Sequence, residues 1–261
     1  MYKFSAILKT KLSKEWPMQT TMYVRGLRLK DALPRQGYLA QLPVVRHLQQ
    51  TGELAFSAPV TFLVGENGAG KSTLLEAIAV NMGFNPEGGT INFNFATADT
   101  HSELHQYLTV IKGPITRQDG FFLRAESFYN VATNIDEIGA EHNYGGESLH
   151  CRSHGESFLA LVEHRFSGHG LYLLDEPEAA LSPTGIFRLM CSMDALVRQG
   201  AQFIISTHSP MLMAFPQAQV LWLDERGITP MDYRQTDHYR LTRRFLETPE
   251  RMLQELFPEK S

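Results

Sequence analysis

Cysteine is nearly missing from this 261-residue chain, which carries only Cys151 and Cys191. Two cysteines suggest neither a disulfide framework nor a zinc site. Long apolar runs are missing too: none approaches the roughly 18 residues that a membrane helix needs. Residues 1–19 are broken by Lys3, Lys9, Lys11, Lys14 and Glu15, so no signal peptide is expected there. There is no internal repeat, low-complexity tract or heptad series, which excludes a long coiled-coil arm. Nor does one sign of charge dominate: 24 Lys and Arg face 28 Asp and Glu, a net charge of −4. Such a chain has no overall basic field, so any nucleic-acid contact has to come from a local patch. The expectation is a cytoplasmic protein without a membrane segment.

Glycine is present where it matters. Gly65-Glu66-Asn67-Gly68-Ala69-Gly70-Lys71-Ser72 fits G-x-x-x-x-G-K-[ST], the loop that cradles phosphates. An apolar run at 60–64 reads as the strand leading in, and 73–79 as the helix leading out. Glycines at 65, 68 and 70 let the backbone curl round an anion with no Cβ in the way. The amides of Asn67, Ala69, Ser72 and Thr73 then lie in the loop and first helical turn, where the helix dipole favours negative charge. Lys71 is suited to the β- and γ-phosphates, and the Ser72 hydroxyl to Mg²⁺. The pattern predicts a nucleoside triphosphate site.

Strands are expected at 2–8 and 22–29, forming a small, partly antiparallel sheet, with an element of undecided type at 44–48. Tyr38 has two readings, stacking on a nucleotide base or packing at a solvent edge. Residues 90–95 alternate like a half-buried strand, and 121–125 read as a buried one ending at Glu126, followed by a helix from Ser127 to about 138. His101 and His105 sit four apart on an expected helix without an HExxH pattern, and read as surface histidines. Leu171-Tyr172-Leu173-Leu174-Asp175-Glu176-Pro177 describes a central strand that delivers two carboxylates to its C-terminal edge, where ligands bind in open α/β sheets. Ser182 and Pro183 open a helix that closes near Gly200. A further buried strand at 202–206 ends in Thr207-His208-Ser209. Alternating strands and helices predict an α/β fold with a mainly parallel central sheet. A hairpin around 224–227 and two helices complete the chain. Arg240, Arg243 and Arg244, with Arg234 and Arg251, form a cluster that either grips nucleic-acid phosphates or is a solvated face balanced by Glu247, Glu250 and Glu255.

Glycine loop, Asp-Glu-Pro strand and Ser-Thr-His-Ser strand, in that order, resemble the ATP-binding-cassette ATPase superfamily. Within it the chain looks most like the soluble SMC/RecF-like and overcoming-lysogeny-defect-like stand-alone ATPases, not a transporter subunit. The resemblance covers most of 60–223 and implies the following. ATP is the nucleotide and Mg²⁺ its metal, held by Ser72 and Asp175. Glu176 polarises the attacking water, His208 senses the γ-phosphate, and Lys71 completes the catalytic set. Residues 179–182 form the loop that crosses to a partner subunit, with Ser182 where the family usually has aspartate. The chain becomes a single ATPase domain over 1–261: a β subdomain (1–59), a nucleotide core (60–84 and 168–261) and a helical lobe carrying the signature loop (85–167).

That signature loop departs from the family's LSGGQ, and 143–147 competes with Ser153-His154-Gly155-Glu156. Ser153 stands 22 residues before Asp175 and directly before an amphipathic helix, so its hydroxyl and the Gly155 amide can face an anion together. Ser153-His154-Gly155-Glu156 is taken as the signature, with a plain helix cap as the other reading. Glu126 takes the place of the Gln-loop residue, or is a plain strand-end acid. The family implies a homodimer in the ATP state, with a protein effector as a further partner. Readings as a nucleotide-gated regulatory module or a transporter ATPase subunit stay open beside it.

Overall fold

A computed structural model describes residues 22–30, 37–86, 88–89, 102–124 and 153–257. The strands expected at 2–8 and 90–95, the helix after Ser127, Glu126, His101, Cys151 and the 143–147 segment lie outside them.

Strand β1 (Val24–Leu29) comes first. The undecided element is a helix, α1 (Pro43–Thr51). Pro43 opens it, Val44, Val45 and Leu48 bury one face, and Gly52 ends it at φ 79°. After β2 (Leu54–Ala55), β3 (Val60–Gly65) runs into α2 (Lys71–Asn81) through the glycine loop. Then come α3 (Leu104–Tyr107), β4 (Leu108–Lys112) and β5 (Asp119–Arg124). The C-terminal half contains α4 (His154–Arg165), β6 (Gly170–Asp175), α5 (Pro183–Val197), β7 (Gln202–Ser206) and α6 (Pro210–Met213). The hairpin β8 (Gln219–Asp224) and β9 (Gly227–Pro230) precedes α7 (Asp237–Glu247) and α8 (Pro249–Leu256).

Two sheets form. The larger has the order β5-β6-β7-β3-β8-β9, parallel except for the β8–β9 hairpin; the smaller, β2-β1-β4, is antiparallel. Both β4 and β5 fall inside 85–167, the stretch expected to form a helical lobe. Phe121, Phe122 and Leu123 need cover on both faces, and in the large sheet Phe121 and Leu123 enter one core and Phe122 the other.

Every residue of β3, β6 and β7 is buried. Because successive strand residues point to opposite faces, Phe62, Val64, Tyr172, Leu174, Phe203 and Ile205 enter one core, shared with α4 and α5. Leu63, Leu173 and Ile204 enter the other, against α1, α2 and the small sheet. Gln202 locks the sheets together. Its Oε1 accepts from the amides of Tyr23 and Val24 at 2.8 and 2.9 Å, and its Nε2 donates to the Val24 carbonyl at 2.8 Å.

Candidate functional site

The C-terminal ends of β3, β6 and β7 converge on one edge of the large sheet, each delivering a different chemistry. At β3, Gly65 passes so close to β8 that a Cβ there would stand 2.3 Å from the Leu223 carbonyl oxygen. Gly70, at φ 82°, would put a Cβ 2.9 Å from Leu42 of the small-sheet side. Both positions exclude a side chain, and the loop keeps its backbone bare. Between them Asn67 is exposed and the Ala69 amide donates to the Glu66 carbonyl at 3.2 Å. The first amides of α2, including those of Ser72 and Thr73, have no side-chain cap, which leaves the helix dipole open to an anion.

Lys71 is 4% exposed, and its Nζ donates to the carbonyls of Gly65 and Glu66 at 2.9 and 3.1 Å. Burial lowers its pKa, while Glu176 and Asp175 oppose the shift. Its neighbour Ser72 donates to Oδ1 of Asp175 at 3.0 Å. Burial raises the Asp175 carboxyl, and Arg124 works against this, with its Nε 3.7 Å from Oδ2. Arg124 also donates to Glu76 of α2 at 3.0 Å. A hydroxyl and a carboxylate at hydrogen-bond distance form a hard-oxygen pair, the donor chemistry Mg²⁺ takes when phosphates complete its shell. The buried ammonium beside a bare glycine loop suits the phosphates themselves.

Glu176 follows with φ 50° and ψ 52°, the left-handed region. Only Glu176 and Gln217 combine a side chain with positive φ among the described residues. Such strain gathers at functional sites. It aims Oε1 of Glu176 at Nε2 of His208, 3.5 Å away. Burial, followed by the Lys71 charge, lowers the His208 pKa.

Sequence reasoning overlooked Glu178, Arg124, Glu76 and His238. Glu178 sits in the turn Pro177–Ala180, and one of its oxygens accepts from Thr207 Oγ1, His208 N and Ser209 N. Burial pushes its carboxyl up. An acid two residues beyond Glu176 was the available signal. Nothing local pointed to His238, 30 residues from His208.

Ser153 caps α4 in a capping box: its hydroxyl donates to Glu156 Oε2 at 2.8 Å and accepts from the Glu156 amide at 3.4 Å. Gly155 packs against the turn after Glu176, where a Cβ would lie 2.6 Å from the Ala180 carbonyl oxygen. The proposed signature and crossing segments are therefore neighbours. Ser182 caps α5 by accepting from the Gly185 amide at 3.1 Å. Tyr38 is 60% exposed with its hydroxyl 3.0 Å from Ser102 Oγ, an edge position. His105 Nδ1 lies 3.0 Å from the Ser102 carbonyl. Of the C-terminal arginines, Arg240 is exposed, Arg243 pairs with Glu247 at 2.8 Å, and Arg244 with Glu255 at 2.8 Å. Two of the three are thus balanced by carboxylates.

Two family models match the chain. One described as "AAA domain" covers residues 45–134, and one described as "AAA domain, putative AbiEii toxin, Type IV TA system" covers 156–214. A cobalt import ATP-binding protein of Salmonella paratyphi A is 30% identical over 187 residues, 64% of this chain and 66% of that protein. A ribose import ATP-binding protein of Roseobacter denitrificans is 28% identical over 188 residues, 64% of this chain and 36% of that protein. The chain thus spans between about a third and two thirds of the length of these relatives. Among solved structures, the SMC head domain from Thermotoga maritima aligns over 80% of this chain and 99% of that one, with 17% identity and a TM-score of 0.44. Among the described residues, no helix is long and apolar enough to cross a membrane.

Proposed function

We infer that this chain, an ATPase domain of the AAA/ABC superfamily, hydrolyses Mg-ATP at a site completed by a second copy of itself and passes the closure to a protein effector. One observation carries the reading. Ser72 and Asp175 meet at 3.0 Å, and beside them Glu176 and His208 meet at 3.5 Å, at the C-terminal edge of the parallel sheet. Lys71 and the loop amides hold the phosphates. Ser72 and Asp175 hold Mg²⁺, which neutralises the terminal phosphates when bound. Glu176 orients and polarises the attacking water, and His208 donates toward the terminal phosphate.

Dimerisation follows from an unfinished donor set. Ser153 and the Gly155 amide open α4 and lie beside the 177–182 segment, so a second copy related by a two-fold axis offers them reciprocally to the phosphate of its partner. In doing so Ser153 exchanges its Glu156 contact for a phosphate oxygen. Light scattering tests this. A Glu176→Gln protein is expected to dimerise in saturating Mg-ATP and to separate in ADP. Ser153→Arg is expected to keep ATP binding and lose both closure and turnover. A Glu176→Gln protein that stays monomeric, or a Ser153→Arg protein with full turnover, sinks the shared site.

For the process, we favour a stand-alone ATPase of the SMC/RecF or overcoming-lysogeny-defect type in DNA-related or defence work. The toxin-system description matched by residues 156–214 supports it. The import-protein relatives favour a second reading, a transporter ATPase subunit. Capture of the full chain from detergent-treated native cells separates them: an integral membrane partner selects the second, a soluble one the first.

A further inference from the structure

His238 is the second residue of α7 and enters the site from outside the nucleotide loops. Its Nε2 lies 2.8 Å from Nδ1 of His208, with ring centroids 4.9 Å apart. On another side, Trp222 of β8 meets the His238 ring edge-on at 5.8 Å. The first turn of α7 is pinned by Thr236, 1% exposed, whose hydroxyl donates to the Tyr233 carbonyl at 2.6 Å and accepts from the Tyr239 amide at 3.3 Å. The imidazole is thus held in place by its neighbours.

A hydrogen bond between two neutral imidazoles needs one N–H and one lone pair. Two tautomer arrangements satisfy it, and the outer nitrogens decide between them. His208 Nε2 and His238 Nδ1 are both buried, and neither makes a hydrogen bond among the described residues. A carboxylate oxygen, Glu176 Oε1, does lie 3.5 Å from His208 Nε2. If His208 donated from Nδ1, His238 would carry its proton on Nδ1 as a buried N–H without an acceptor. His208 would also turn a lone pair toward the Glu176 carboxylate. In the reverse arrangement, His238 Nε2–H donates to His208 Nδ1. His208 then presents Nε2–H to Glu176, and only a bare lone pair is left at His238 Nδ1. The second arrangement turns its outer N–H toward a carboxylate, whereas the first buries it with no acceptor. An unpaired lone pair costs less than an unpaired donor, so the second arrangement wins.

We infer that His238 is a positioning residue that fixes His208 in its Nε2–H tautomer, turned toward Glu176 and the terminal phosphate. The inference rests on the proposed role of His208. It needs both rings neutral, and burial lowers the pKa of each. The charged groups acting on the pair are Lys71 and Glu66 from the glycine loop, Glu176 after β6 and Asp237 on α7 itself.

Two variants separate the hydrogen bond from packing. His238→Phe keeps a ring beside Trp222 and deletes the donor; His238→Gln restores an N–H near the Nε2 position. With the full chain, His238→Phe is expected to lower kcat on the order of ten-fold, a part of the hundred-fold or more that an acid–base group contributes. KM for Mg-ATP should change less than about two-fold, because the interaction acts on the reacting state. His238→Gln should regain most of kcat. Independently of turnover, long-range ¹⁵N–¹H spectra of the nucleotide-free protein should place the His208 proton on Nε2 in the wild type and distribute it over both nitrogens in His238→Phe. A wild-type proton on Nδ1, an unchanged tautomer in His238→Phe, or a His238→Gln no better than His238→Phe overturns the inference. Full turnover by His208→Ala would instead overturn the role given to His208, and the spectra would still decide that of His238.

Discussion

Glu178 holds His208 by its backbone: Oε1 accepts the His208 amide hydrogen at 2.6 Å. The same oxygen takes the Thr207 hydroxyl at 2.7 Å and the Ser209 amide at 3.1 Å. One carboxylate in the turn after β6 therefore sets the path of the loop after β7. Glu178→Ala strands the Thr207 hydroxyl and the His208 amide in a buried place, while the Ser209 amide keeps Thr207 Oγ1 at 3.0 Å. The cost is about 2–4 kcal/mol, or roughly 5–10 °C in Tm. Calorimetry with and without ATP should show that drop, with turnover reduced at least about ten-fold because His208 loses its support. An Ala variant of unchanged Tm and kcat would remove Glu178 from the site.

Lys71 and Glu176 should fail in different ways. Lys71→Ala removes the buried ammonium beside the glycine loop and should abolish nucleotide binding in a fluorescent-ATP titration. Glu176→Gln keeps the size of the side chain and should bind as the wild type does. Its turnover should fall by about two or more orders of magnitude, the scale of a lost catalytic base. Wild-type turnover in Glu176→Gln would place the water-orienting group elsewhere.

Gln202 lies at the opposite end of β7 from His208, so its loss should separate stability from chemistry. Gln202→Leu leaves the amides of Tyr23 and Val24 and the Val24 carbonyl without their buried partners. The expected loss is about 2–4 kcal/mol in a urea melt. At temperatures where the variant is folded, kcat should stay within about two-fold of the wild type.

The paired imidazoles predict a pH dependence with a definite sign. Burial, then Lys71, lowers His208; burial, then His208, lowers His238. The folded chain thus binds these protons less readily than the unfolded chain, whose histidines titrate near about 6.5. Their contribution to stability is present above that value and is lost as pH falls through it toward the folded values. The Tm drop between about pH 7.5 and about pH 5.5 should be larger for the wild type than for His238→Gln. Asp175 and Glu178, whose raised values act in the opposite direction, are common to both proteins and cancel in the comparison.

The glycine loop, the Asp175-Glu176 strand end and the His208 strand end were legible in the sequence, because each is local chemistry. A strand, a turn and a helix cap are specified by residues within about ten positions of one another. The hairpin at 224–227 and the capping box at Ser153 are local for the same reason. Placement was different. That β4 joins β1, and that β5 lies beside β6, depends on pairing partners 50 or more residues away, and their apolar letters fit either sheet or helix. Glu178, Arg124 and His238 carry no motif. Their importance comes from distances of 2.6 to 3.7 Å to residues far along the chain. Sequence set which groups arrive at the edge of the sheet. Only tertiary packing, which buries those groups and sets them against partners far along the chain, decided how they are oriented once there.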